Sequence, residues 1–414
     1  MPDICMYFQV HQPMRLRKFS IFGHNDEAWR ERYFDAEKNR QIMEKVAEKC
    51  YRPTNRLLLD LIGKHDGAFR LSFSLTGVFI EQCREYAPDV LESFAELYRT
   101  GCVEFLSETY YHSLASLFAD KREFGRQVKM HDKALHEIGI RPSRVFRNTE
   151  ALYSNEIGRH IEGMGYEAAI SEGWDYYLGW RSPNYVYKAK GSGSEGGNGN
   201  GGASKNGLRL LLRNYKLSDD LSYRFSARWW PEYPLTADKY ASWLAASQGQ
   251  CVNLFMDYET FGEHQWADTG IFEFLRHMPG QVLGHPHLGF ALPSEIVRKH
   301  APVDEVDVPY SLTWADMERD TSAWLGNEMQ KECFAMLEGA AGRVEASGDP
   351  AAEHAWRLLQ NSDHLYYLCT KSLADGDVHK YFSPYQNPYD GFINFMNILQ
   401  DFRDRLEGTE GRSV

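Results

Sequence analysis

The stretch 251-CVNLFMDYETFGEH-264 decides how this chain is read. Residues 251–256 form an apolar run of strand length. Within one residue the character then flips, to Asp257, Tyr258, Glu259, Phe261, Glu263 and His264. A strand that ends in carboxylates, an imidazole and aromatic rings puts chemistry at one end of a sheet.

Six further runs behave the same way, at 4–10, 68–74, 102–106, 144–147, 167–170 and 208–213. Their downstream ends carry His11-Gln12-Pro13, Thr76-Gly77, Ser107-Glu108-Thr109-Tyr110-Tyr111-His112, Asn148-Thr149-Glu150, Ser171-Glu172-Gly173-Trp174-Asp175 and Ser218-Asp219-Asp220. Amphipathic stretches at 41–50 with 55–64, 89–100 and 124–137 separate several of them. Strands alternating with helices predict parallel βαβ units, hence an α/β sheet or barrel with its site on the C-terminal face. Any one Asp, Glu or Ser at such a junction also suits a helix N-cap. The repetition at strand after strand is what argues for a site.

After about residue 300 the pattern turns helical, at 314–339, 350–374 and 390–407. The chain therefore divides into a catalytic unit, 1–300, and a helical domain, 301–414, that contributes to the cleft. Residues 191–202, GSGSEGGNGNGG, read as a flexible surface insertion.

Composition narrows the function. With 46 basic and 58 acidic residues the net charge is −12, which argues against nucleic acid and anionic membranes as partners. No window suits a membrane span or a signal peptide. The seven cysteines show no metal-ligand spacing and read as buried thiols in a reducing, cytoplasmic setting. Aromatic residues are 14% of the chain, and many adjoin the polar strand ends. A sugar offers C–H faces to aromatic rings and hydroxyls to carboxylates and imidazoles, so a cleft that mixes the two is carbohydrate-like. Rings at 110–111, 174–177 and 258–266 are expected around it, with most others in the core.

Paired carboxylates are the dominant chemical theme, and glycoside hydrolysis needs two. The strongest pair comes from the neighbourhoods of Glu150 and Asp257. Spacing alone does not separate Asp257 from Glu259 or Glu263, nor Glu150 from Glu156. Gln12, Trp174, Asp220 and, from the helical region, Trp324 are further candidate substrate contacts. His285-Pro-His287 is the most ligand-like histidine pair, yet no matching cluster and no H-E-x-x-H accompanies it. No metal and no cofactor is expected. G-x-S-x-G is absent, which disfavours a serine hydrolase.

These residues resemble glycoside hydrolase family 57, and within it the α-amylase group. Five short regions occur in that family's order: His11-Gln12-Pro13; residues 101–109 with Glu108; residues 146–153 with Glu150; residues 255–264 with Asp257 and His264; and Ser362-Asp363. The resemblance implies a distorted seven-stranded (β/α) barrel followed by a helical domain. It implies retaining cleavage of α-glucans, with Glu150 as nucleophile and Asp257 as acid/base. It places His11, Glu108, His264 and Asp363 around the sugar at the cleaved bond. A 4-α-glucanotransferase or branching enzyme would use the same chemistry with a sugar acceptor. A catalytically weak glucan-binding protein, and a metal-dependent hydrolase on a similar barrel, are the alternatives of other classes. The oligomeric state is not readable from the sequence.

Overall fold

The computed structural model describes residues 2–20, 27–193, 207–371 and 383–410. All seven expected strands are present. They are β1 (Asp3–Val10), β2 (Leu71–Leu75), β3 (Val103–Phe105), β4 (Val145–Arg147), β5 (Ala168–Glu172), β7 (Arg209–Arg213) and β8 (Cys251–Asp257). Three short strands were not expected: β6 (Tyr187–Ala189), β9 (Gly289–Phe290) and β10 (Glu305–Val306). They are two or three residues long, too short to show a period.

The strands form two five-stranded sheets. One runs β3-β2-β1-β8 with β9 beside β1, and the other runs β10-β6-β7-β5-β4. Among the seven expected strands every pairing is parallel. The sheets meet at two seams. At the first, Ser107 bridges Phe146 and the Arg147 amide donates to the Ser107 carbonyl at 2.9 Å. At the second, the Asn214 amide donates to the Asn253 carbonyl and the Asn253 side chain to the Leu212 carbonyl, both at 2.8 Å. The seven strands thus follow one another edge to edge as β8-β1-β2-β3 and β4-β5-β7, with the ladder thinned to these contacts at both seams.

Alternation along each strand sorts residues between two cores. Cys5 and Tyr7 of β1 join Leu106, Val145, Ala168, Ile170, Leu211, Cys251 and Phe255 in a small inner cluster. Ile4, Met6, Phe8 and Val10 face outward into the large core under the helices. That outer core absorbs many rings: Phe73 lies 5.7 Å from Phe8, 5.2 Å from Phe94 and 4.9 Å from Tyr258.

Beyond β10 the described residues form helices and loops, chiefly helices Glu328–Ser347, Pro350–Leu359, Ser362–Tyr366 and Pro388–Glu410. Two expectations need correction. Residues 314–321 are an irregular loop, because Asp316 and Arg319 take left-handed φ angles of 55° and 53°. The run from 350 breaks at Asn361, whose side chain caps the Asp363 amide and starts a new helix. All seven cysteines are free and buried. Among the described residues, no helix is long and apolar enough to cross a membrane. Most of the glycine-rich insertion, from 194 on, lies outside the described residues. Gly193 and Gly207, which flank it, stand between β6 and the start of β7, at the end of the sheet opposite the polar strand ends.

Candidate active site

The inward row of each strand changes character at its C-terminal end. Continuing the alternation past the inner apolar cluster brings Gln9, Ser74, Arg147, Glu172, Arg213 and Asp257 into one polar layer. Above that layer the loops deliver His11, His112, Glu150, Trp314, Ser362 and Asp363.

Glu150 sits just past β4, in the 3-10 turn Thr149–Ala151, with Asn148 capping the Thr149 amide. Its φ is 58°, that of Ala151 is 51° and that of His112 is 50°. Each such conformation costs a residue with a Cβ roughly 1–2 kcal/mol. Neighbouring segments hold the turn in place. Tyr153 and Leu312 exchange backbone hydrogen bonds at 2.8 Å, and the Trp314 amide donates to the Glu150 carbonyl at 3.2 Å.

The Glu150 carboxylate collects three donors. His112 Nε2 and Ser362 Oγ each reach Oε1 at 3.1 Å, and the Trp314 indole N–H reaches Oε2 at 2.9 Å. Burial alone would raise its pKa. The His112 hydrogen bond and charge, the Arg147 charge and the Trp314 donor outweigh burial and hold it below the usual value.

Asp257 stands in the opposite situation. Its carboxyl has no hydrogen bond or ion pair among the described residues. Burial and the adjacent negative charge of Glu150 push it up to about 6, against the pull of Arg147, His112 and Arg213. Two neighbouring carboxyls whose surroundings drive their pKa values apart are the mark of an acid and a base with separate roles.

His112 is buried, which favours its neutral form, but Glu108 and Glu150 outweigh burial and raise it to about 9. It is therefore an imidazolium at neutral pH. The His11 ring stacks on it, 4.0 Å away and 18° from parallel. Burial and the His112 charge lower His11, whose Nδ1 lies 2.9 Å from the Thr76 hydroxyl and whose Nε2 lies 3.1 Å from Asp363. Burial is outweighed at Asp363 by the His11 contact, which holds it down to about 2. Glu259 is pushed up to about 8 by burial and the Asp257 charge, and Tyr51 donates to it at 2.5 Å.

The remaining sequence candidates divide. Glu108 is fully buried, bound by Gln9 Nε2 at 3.2 Å and facing both His112 and Arg147 at 3.8 Å; it supports the site from beneath. Gln12 donates to Tyr51 at 3.2 Å and accepts from Arg15 at 3.0 Å, so its amide is held among those residues. Asp220 pairs with Arg224 of its own turn at 2.7 Å, and it is Asp219 that joins Arg213. His264 is half-buried, and burial lowers it to about 4. Trp174 stacks on Tyr176 at 4.9 Å beyond the end of β5. Trp324 corrects an expectation: at 1% exposure it is enclosed among the C-terminal helices and has no free face for a sugar.

The aromatic expectation is corrected in part as well. Tyr110, Tyr111, Tyr258 and Phe261 are buried in the core, whereas Tyr176 is 74% and Trp266 53% exposed.

Two residues at the centre of the site escaped the sequence reading. Trp314 lies inside a stretch expected to be helical, and its partner Glu150 is 164 residues away, so no local pattern marks it. Arg147 reads as the last residue of a strand. The strand's alternation could have turned it inward, beside Val145, had the barrel been assumed.

His11, His112 and Asp363 bring ligand atoms within 4.8 Å of one another, the one such grouping among the described residues. Rings stacked nearly parallel send their nitrogen lone pairs side by side instead of converging on one point, and the His112 N–H is engaged by Glu150. The set fits a metal poorly.

The sequence profile of glycosyl hydrolase family 57 matches residues 5–309. A protein of Methanocaldococcus jannaschii named as a candidate alpha-amylase is 44% identical over 409 residues, 96% of this chain and 84% of that one. Two solved structures share the fold. A GH57 branching enzyme from Thermococcus kodakaraensis aligns with a TM-score of 0.69 at 12% identity, over 98% of this chain and 90% of that one. A 4-alpha-glucanotransferase from Thermococcus litoralis aligns with a TM-score of 0.62 at 14% identity, over 95% of this chain. This chain spans only 59% of that enzyme's length. The parallel-stranded fold, its polar layer of strand ends and the match along most of the chain lead to one conclusion: the chain belongs to glycosyl hydrolase family 57.

Proposed function

We propose that this glycoside hydrolase cleaves α-1,4-glucosidic bonds of glycogen, starch or maltooligosaccharides with retention of configuration. The observation that carries the reading is the contrast between Glu150, ionised under three donors, and Asp257, raised by burial and without a partner among the described residues.

In this mechanism Glu150 attacks the anomeric carbon while Asp257 gives its proton to the departing glycosidic oxygen. A glycosyl ester on Glu150 results, and the carboxylate left on Asp257 then takes a proton from water as the water attacks the same carbon. Glu150 leaves, and Asp257 is protonated again. Retention requires the two carboxyls to be ~5–5.5 Å apart. His11, His264 and Asp363 act as polar contacts for the sugar at the cleaved bond, with Trp174 further out on the rim. The segment from 301 on forms part of the cleft through Trp314, Ser362 and Asp363. The free buried cysteines suit a cytoplasmic setting.

The name of the Methanocaldococcus relative supports hydrolysis over transfer. Incubation with maltoheptaose tests this. Hydrolysis gives shorter sugars with one new reducing end per cut, and the first product seen by proton NMR is the α-anomer. Redistributed chain lengths without new reducing ends would assign the chain to transfer instead. Wild-type rates from Glu150→Gln would remove Glu150 from the mechanism.

A further inference from the structure

Arg147 is the least expected group in the molecule. It is fully buried, and none of its three guanidinium nitrogens has a hydrogen-bond partner among the described residues. Burying a cation without such bonds opposes folding, so its presence calls for another reason. Its surroundings supply one. The guanidinium lies over the Trp314 ring, 4.9 Å from the centroid, with Arg213 5.9 Å from that same centroid. The Trp314 N–H holds Glu150. Glu108 lies 3.8 Å from Arg147 and is the nearest counter-charge.

We propose that Arg147 is a positioning residue whose buried charge, held between Glu108 and the Trp314 ring, sets the proton occupancy of the Glu150–Asp257 pair. It touches neither substrate nor the reacting atoms, and acts through the field in the barrel and through the ring that donates to Glu150. The charged and titratable groups around it come from every side. They are Tyr7 from β1, Glu108 and His112 from the loop after β3, Glu150 from the turn after β4, Arg213 from β7 and Asp257 from β8. Its charge favours the ionised form of Glu108, Glu150 and Asp257 and disfavours the imidazolium of His112. Without it, both members of the pair keep their protons to higher pH.

The inference rests on Glu150 and Asp257 being the reacting pair. The test is the pH profile of kcat/KM on maltoheptaose for Arg147→Met and Arg147→Lys, with Glu150→Gln alongside. For Arg147→Met both limbs move to higher pH, as a carboxyl does when a nearby positive charge is lost, and kcat falls with them. KM changes much less, because the substrate is not touched. Arg147→Lys keeps the charge, and its limbs stay at the wild-type positions. Limbs unmoved in Arg147→Met, or moved in Arg147→Lys, would overturn the proposal. If Arg147→Met does not fold, the limbs of Arg147→Lys still decide. Activity retained by Glu150→Gln would instead discredit the assignment of the pair.

Discussion

Trp314 shows how one side chain can couple parts of the chain that are distant in sequence. Its N–H bonds Glu150, its ring lies under Arg147 and its carbonyl accepts from Arg319 at 2.6 Å. A hydrogen bond to a charged group contributes roughly 1.5–3 kcal/mol. Trp314→Phe keeps most of the ring and loses that donor. We expect kcat to fall roughly tenfold to 150-fold, with little change in KM, in steady-state assays on maltoheptaose. Asp257 gives a second expectation at this scale. Asp257→Asn removes the proton that the departing oxygen needs, and the loss for such a group is ~10²–10⁴-fold. In the unaltered enzyme Asp257 must begin protonated, so kcat/KM falls as pH rises through about 6. The acid limb, where Glu150 takes up its proton, lies below the usual carboxylate range. Both limbs belong to the coupled pair. A profile that still rises above pH ~7 would show that Asp257 is not the acid.

At the scale of elements, the strands were legible because each is short, apolar and bounded by residues that cannot continue it. β8 is the clearest case, and Asp257 marks its end. The loops that build the site were not legible, because long-range contacts fix their shape. Residues 314–321 carry helix-compatible residues, yet Arg319 reaches Glu172 at 2.8 Å and turns the segment into a loop. Gly262 is an exception whose role follows from its backbone. Its φ is 113°, and a Cβ there would lie 2.1 Å from the Lys49 carbonyl oxygen in the π-turn Ala47–Tyr51. Gly262→Ala should destabilise the fold by more than about 1 kcal/mol, measured by denaturant unfolding. Ala151 offers the reverse case, since glycine relieves its left-handed backbone. Ala151→Gly should raise the melting temperature while lowering kcat, because the turn that aims Glu150 loosens.

Across the whole molecule, the seven strands and the helical C-terminal region could be read from the chain. Trp324 could not be placed, since nothing local separates a tryptophan on a cleft wall from one between helices. The network at the site also sets how stability follows pH. The folded pKa of His112, about 9, lies above its ordinary 6.5. Its contribution is complete below 6.5 and is lost as pH rises through about 9. Asp363 runs the other way: its contribution is present above 3.8 and is lost as pH falls through about 2. Asp257 opposes folding once it must ionise, above its ordinary 3.8 and most fully beyond about 6. Melting temperature should therefore decline between neutral pH and about 9, and His112→Gln should remove much of that decline.

Six non-glycine residues have left-handed φ angles among the described residues, and five of them, His112, Glu150, Ala151, Asp316 and Arg319, surround this site. Those five positions are where selection for durability and selection for turnover pull in opposite directions. A mutant library screened only for survival of heating will gather glycine and asparagine there and drift toward robust, slow proteins. A lineage kept under demand for turnover will retain the costly backbone and place its stabilising changes elsewhere, among the outer helices.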